Sequence, residues 1–194
     1  MKDFIFIHIT RTGGTSIIKA LRPFSSLHSF GSHHSVLERM DEIGECKFQS
    51  LFSFAIARNP WDRQVSFYHY ILRDKSHHLH QRVKACGGFK GYVKEILEPE
   101  DTCVSRLQKD FVNSVRGILG VKLIGRFENL ERWYENICLK IGILDLPTLP
   151  KLNVSVHKPY QEYYDDETMR IIRRIFEPDL DWKNLGDDGF TYRF

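Results

Sequence analysis

At 194 residues, 42% of them apolar, the chain is long enough to bury one sizeable core and too short for two full domains. Lysine and arginine (28) exceed aspartate and glutamate (25) by only three, which excludes an overall field that would gather nucleic acid or an anionic membrane; any anion site must be local. Cys46, Cys86, Cys103 and Cys138 are scattered, with no CxxC pair and no dense framework, and so predict reduced thiols.

The first element is a strand over residues 4–9, a short and nearly continuous apolar run. It is too short for a signal h-region or a membrane helix, so a soluble, cytoplasmic chain with no integral membrane segment is expected. The run leads directly into Thr10-Arg11-Thr12-Gly13-Gly14-Thr15-Ser16 and then a helix over 15–21. A strand, a glycine turn and a helix start form a phosphate-cradle layout: paired glycines allow close backbone approach, and free N–H groups with the helix dipole attract an anion. Thr15 and Ser16 add hydroxyls, and Arg11 adds a permanent charge able to face an oxygen that turns negative as a bond breaks. On this motif alone, a plain tight turn with Thr15 or Ser16 as N-cap is an equal alternative. A nucleotide kinase would show GxxxxGK followed by Ser or Thr, and no lysine occupies that slot here.

A helix is predicted over 35–43 and a second buried strand over 51–57. Behind that strand runs Arg58-Asn59-Pro60-Trp61-Asp62-Arg63-Gln64-Val65-Ser66, with Pro60 and Asp62 announcing a helix over 62–72. Arg58 at the strand end and Ser66 in the helix are spaced to converge on one anion, a second phosphate site. The plainer alternative is that Arg58 and Arg63 pair with surface carboxylates and Trp61 is core. Residues 74–88, with His77, His78 and His80, show no clear period and read as a mobile surface excursion; three close histidines without an evident fourth ligand do not make a metal site. A helix over 89–97, a strand over 121–125 and helices over 130–141 and 167–176 complete the pattern. This alternation implies βαβ units around a central parallel sheet, in one three-layer α/β/α domain spanning 1–194 with ligands at the strand C-terminal edge.

The segments FIHITRTGGTSI and FAIARNPWDRQVSFYHY, in this order, resemble the two cofactor-binding signatures of the sulfotransferases, specifically the carbohydrate-type branch. The resemblance continues through Ile124-Gly125-Arg126-Phe127-Glu128-Asn129-Leu130, Leu152-Asn153-Val154-Ser155 and the aromatic end Phe190-Thr191-Tyr192-Arg193-Phe194. It implies a P-loop NTPase-like sulfotransferase fold and a donor, 3′-phosphoadenosine 5′-phosphosulfate, whose product is adenosine 3′,5′-bisphosphate. By the same resemblance Arg11, Thr12, Gly13, Gly14, Thr15 and Ser16 grip the 5′-phosphosulfate end and Arg58 and Ser66 the 3′-phosphate. The loop 153–160, with Ser155 and Lys158, would close over the nucleotide, and no metal is required. The chain departs from the family in carrying Thr10-Arg11 where Pro-Lys is usual; tyrosylprotein sulfotransferases resemble it in using arginine there. Arginine does not give up its proton at ordinary pH, so Arg11 would stabilise the departing phosphate oxygen electrostatically.

Sulfuryl transfer to a hydroxyl needs a base for the acceptor's proton. The segment Gly31-Ser32-His33-His34-Ser35 resembles the place where carbohydrate-branch relatives carry a histidine. His34 is the first choice and His33 the second, because a helix N-terminus favours the neutral imidazole. Helix capping and solvation are the alternative fates of these histidines, and core packing that of His8. The expected acceptor is a hydroxyl on a carbohydrate, with protein tyrosine next; no nucleic-acid partner is expected. The competing functions are a P-loop-like kinase and a noncatalytic binder of adenosine bisphosphate.

Overall fold

The computed structural model describes residues 2–24, 33–99, 103–115, 118–155, 157–182 and 190–194. The chain is α/β and divides into two compact units, one of residues 1–58 and 108–154, the other of 59–107 and 155–194.

The first unit holds a parallel sheet in the order β1 (Phe4–Ile7), β2 (Phe52–Ala57) and β3 (Leu123–Arg126). The register pairs Phe4 with Phe52 and Phe54 with Leu123. Because side chains alternate along a strand, Phe4, Phe6, Phe54, Ile56 and Leu123 share one face. They pack against Ile17, Ala20 and Leu21 of α1 (Gly14–Leu21) and Tyr134, Ile137, Cys138 and Ile141 of α8 (Leu130–Ile141). On the other face Ile5, Ile7, Ser53, Ala55 and Ile124 are also buried, as the expected layered arrangement requires. Gly125 is where α8 comes closest to the sheet: a Cβ there would lie 2.8 Å from Trp133 and 2.7 Å from Ile56. The strands are shorter than their apolar runs. His8 and Ile9 lie beyond the pairing that ends with Ile7 and Ala55, and β3 starts at Leu123, opposite Phe54, although Val121 is already buried.

The same unit carries α2 (Val36–Ile43), α3 (Glu45–Ser50) and α7 (Lys109–Val112). Ser35 caps α2 in a capping box with Glu38.

The second unit is helical. Its α4 (Pro60–Arg73) starts two residues earlier than the periodicity suggests, because Asn59 caps it by accepting the Trp61 N–H and Pro60 takes the first position. Residues 74–88 are not wholly irregular: α5 (His80–Ala85) buries His80 and Val83, a single short turn too brief to show a period. The helix expected over 89–97 is α6 (Phe89–Gly91) passing into a π-helical stretch, Tyr92–Leu97. With α9 (Asp166–Ile175) these elements bury Trp61, Val65, Ile71, Val83, Tyr92, Val93, Ile171 and Phe176 in one core. Lys90 bridges to Asp165 and Glu167 at 2.7 and 2.9 Å, fastening α6 to the start of α9. Among the described residues no helix is long and apolar enough to cross a membrane.

Candidate functional site

Parallel strands deliver their C-terminal ends to one edge, and in the first unit that edge gathers the turn after β1, Arg58 after β2 and Phe127 after β3. The turn is closed internally by Thr12, whose buried hydroxyl donates to the Ile9 carbonyl at 2.9 Å. That hydroxyl proton is therefore committed, leaving Thr12 its backbone N–H for a ligand.

Two left-handed residues, Arg11 (φ 62°) and Gly13 (φ 80°), bend the chain into α1. Gly13 is the N-cap and makes no side-chain cap bond, and the first turn of α1 carries no acidic residue. Ser16 and Ile17 both direct their N–H groups to the Gly13 carbonyl. The helix start thus has neither a side-chain cap nor an acidic residue of its own to neutralise its positive end, a condition that favours holding an anion. Ser16 and Thr15, offered by the sequence as caps or ligands, are not caps. Ser16 Oγ accepts the Leu152 N–H at 3.2 Å, and Thr15 Oγ1 accepts from Asn153 Nδ2 at 3.4 Å. Each hydroxyl retains its own proton to donate.

Arg58 is buried, with its guanidinium lying 4.1 Å from the centre of the Phe127 ring and Nη1 donating to the Arg11 carbonyl at 3.1 Å. The two motif arginines are therefore in direct contact. The backbone of Arg58 is held by Gln108, which accepts its N–H and donates to its C=O, both at 2.8 Å. Neither Gln108 nor Phe127 was singled out as a site residue from sequence. Phe127 sits in the block Ile124 to Leu130 that carries the resemblance, whereas a lone glutamine leaves no pattern to find.

His8 packs edge-on into the turn: a Cβ on Gly14 would lie 1.9 Å from its ring. Only 8% of its surface is exposed, its Nδ1 is buried with no hydrogen-bond partner among the described residues, and the His33 ring lies 4.2 Å away. Burial first, then His33, holds the His8 pKa down at about 3. Unfolding restores an ordinary imidazole near 6.5, so the unfolded chain binds the extra proton. The stability that depends on neutral His8 is complete above about pH 6.5 and drains as pH falls towards 3, by at most about 1.4 kcal/mol per unit. Urea unfolding across this range is expected to show that slope, and His8→Phe to remove about one proton's share of it; an unchanged slope would contradict the assignment.

His33 Nδ1 lies 3.0 Å from the His8 carbonyl, and a carbonyl only accepts. Nδ1 thus carries the hydrogen, and the neutral ring is the tautomer with its lone pair on Nε2. His34 turns the other way, with Nδ1 2.5 Å from Glu42 Oε1, a carboxylate that Arg39 also engages at 2.5 Å. His34 precedes the capping residue Ser35 and does not itself cap α2.

In the second unit Ser66 is buried and its Oγ is 3.4 Å from Ser155 Oγ, so two residues assigned separately from sequence do meet. Three residues further along α4, the His69 ring stacks on His157 at 5.3 Å and bonds Tyr163 OH at 2.8 Å. Lys158 is 74% exposed and pairs with Glu162 at 3.4 Å. Within the loop 153–160, Val156 lies outside the described residues, as do Gly31 and Ser32 beside the histidine pair. His80 bonds the Ile71 carbonyl and His77 accepts the Leu79 N–H, so these ring nitrogens serve the backbone.

The sulfotransferase family profile matches residues 2–182, nearly the whole chain. The chain belongs to the sulfotransferase family. No curated protein and no solved structure matches it. As a sulfotransferase it is a sulfuryl-transfer enzyme, and such an enzyme must hold an anionic donor and receive charge on the leaving oxygen. The start of α1, without a side-chain cap, and the Arg58 guanidinium on the Arg11 carbonyl lie at this one sheet edge.

Proposed function

We propose that this sulfotransferase takes the sulfuryl group from 3′-phosphoadenosine 5′-phosphosulfate and gives it to a carbohydrate hydroxyl in the cytoplasm, without a metal. The observation that carries the reading is the bond from Arg58 Nη1 to the Arg11 carbonyl, which joins the two motif arginines at one sheet edge. In this reading the amides of Gly13, Gly14 and Thr15, the Thr12 N–H and the Thr15 and Ser16 hydroxyls hold the 5′-phosphosulfate. Arg58 holds the 3′-phosphate, and from the second unit Ser66, Ser155 and Lys158 are assigned to the nucleotide by their motifs. The arginines and amides supply the positive charge that magnesium gives a kinase.

As the acceptor oxygen bonds to sulfur, the sulfur–oxygen bond to the phosphate breaks. Arg11 stabilises the negative charge arriving on that phosphate oxygen, and the acceptor's proton passes to His33 Nε2. We assign the base to His33 rather than His34 because an Nδ1–carbonyl bond favours the useful tautomer, whereas His34 faces Glu42; both bonds support the reading. The sugar acceptor rests on the carbohydrate-type signatures; arginine at position 11 makes protein tyrosine the second candidate.

Adenosine 3′,5′-bisphosphate is expected to raise the melting temperature in the absence of magnesium, and ATP with magnesium to raise it much less. Arg58→Ala should weaken bisphosphate binding by about 10- to 100-fold, the worth of a charged hydrogen bond, and abolish the preference over adenosine 5′-phosphate. Arg11→Ala should lower kcat by about 100-fold or more while leaving bisphosphate affinity within a few-fold. A chain stabilised better by ATP with magnesium, or one that binds bisphosphate yet moves labelled sulfate to none of a panel of sugars and tyrosine peptides, would refute the proposal.

A further inference from the structure

Arg58 lies one residue past β2, where the sheet has run out of neighbours on both sides. Its backbone N–H and C=O still require partners, since a buried peptide group left unpaired is costly. Gln108, itself 0% exposed, supplies both: Oε1 accepts the N–H and Nε2–H reaches the C=O, each at 2.8 Å. One carboxamide thus replaces a strand neighbour at this residue. The Arg58 guanidinium is in turn steadied by the Phe127 face and the Arg11 carbonyl.

We infer that Gln108 is a positioning residue which, by holding both the N–H and the C=O of Arg58, aims its guanidinium and so sets the enzyme's selectivity for a nucleotide bearing a 3′-phosphate. The inference rests on the reading of Arg58 as the 3′-phosphate group. The chemistry of the side chain favours it. A glutamate of the same length would accept the N–H but could not donate to the C=O, and its charge would compete with the phosphate for the arginine. The carboxamide does both jobs and leaves the arginine's charge to the ligand.

The test is the ratio of affinities for adenosine 3′,5′-bisphosphate and adenosine 5′-phosphate, measured by calorimetry on the whole chain. Gln108→Met, neutral and similar in size, is expected to lower the ratio about tenfold, the loss of two hydrogen bonds that hold the arginine in place. Gln108→Glu should lower it further. If Gln108→Met does not fold, Gln108→Asn, whose amide falls one carbon short, is read in the same way. An unchanged ratio in folded variants, while Arg58→Ala abolishes it, would overturn the role of Gln108 and leave that of Arg58 intact. Equal weakening of both nucleotides would reduce Gln108 to a structural residue and also overturn it. A wild-type chain with no preference for the bisphosphate would refute the reading of Arg58, and this inference with it.

Discussion

Gly14→Ala is expected to unfold or grossly loosen the first unit's binding edge, at a cost of about 3 kcal/mol or more. A methyl at this position would sit 1.9 Å from His8 Cδ2 and 2.1 Å from Nε2, well inside contact distance. The ring has little room to retreat. It lies between Phe6, 5.6 Å away, and His33, 4.2 Å away, on a chain segment that is buried throughout. Space beside the preceding residue is limited too, since a Cβ on Gly13 would lie 2.8 Å from Leu130 and 3.2 Å from Phe127. The measurement is the urea midpoint of Gly14→Ala against the parent. The cause is isolated by the double variant with His8→Ala, which removes the obstructing ring and is expected to recover much of the loss. A double variant no more stable than Gly14→Ala would show that the histidine is not the obstacle.

Turnover is expected to fall by about 10²- to 10⁴-fold in His33→Ala, the usual range for losing a positioned base. Bisphosphate binding should hardly change, because the proton is transferred only as the acceptor attacks. His34→Ala is expected to lose far less, its ring being turned towards Glu42. His33→Gln is informative as well: its amide can still donate to the His8 carbonyl but offers no basic nitrogen, so it should be as slow as the alanine variant. Single-turnover sulfate transfer with a saturating donor separates these cases. The reverse order, with His34→Ala slow and His33→Ala near normal, would move the base one residue along the chain.

Much of this was legible because the relevant signals are local. The glycine pair, the arginine after each of two apolar runs and the 3.6-residue spacing of residues 130–141 depend on neighbours within one turn, and α8 matches its expected limits. Three-dimensional context decided the rest. Strand ends follow the pairing register, which periodicity does not carry, and so β1 stops at Ile7 while the apolar run continues. Helices α3, α5 and α7 each have six residues or fewer, below the length at which a period can be read. His33 and His34 take different partners, the His8 carbonyl and Glu42, which are distant in sequence, and adjacency of the two histidines hides it. Gln108 acts on a residue fifty positions away through its amide alone, with no spacing or motif to give notice.

Arg11 rests in a backbone conformation, φ 62°, that glycine or asparagine occupies with less discomfort than a long side chain does. The strain falls on the residue to which we assign the charge facing the leaving oxygen. On that assignment, a screen that rewards heat resistance alone would tend to relax this position and, in doing so, discard the enzyme's speed; thermal hardiness and turnover would pull against each other at a single amino acid.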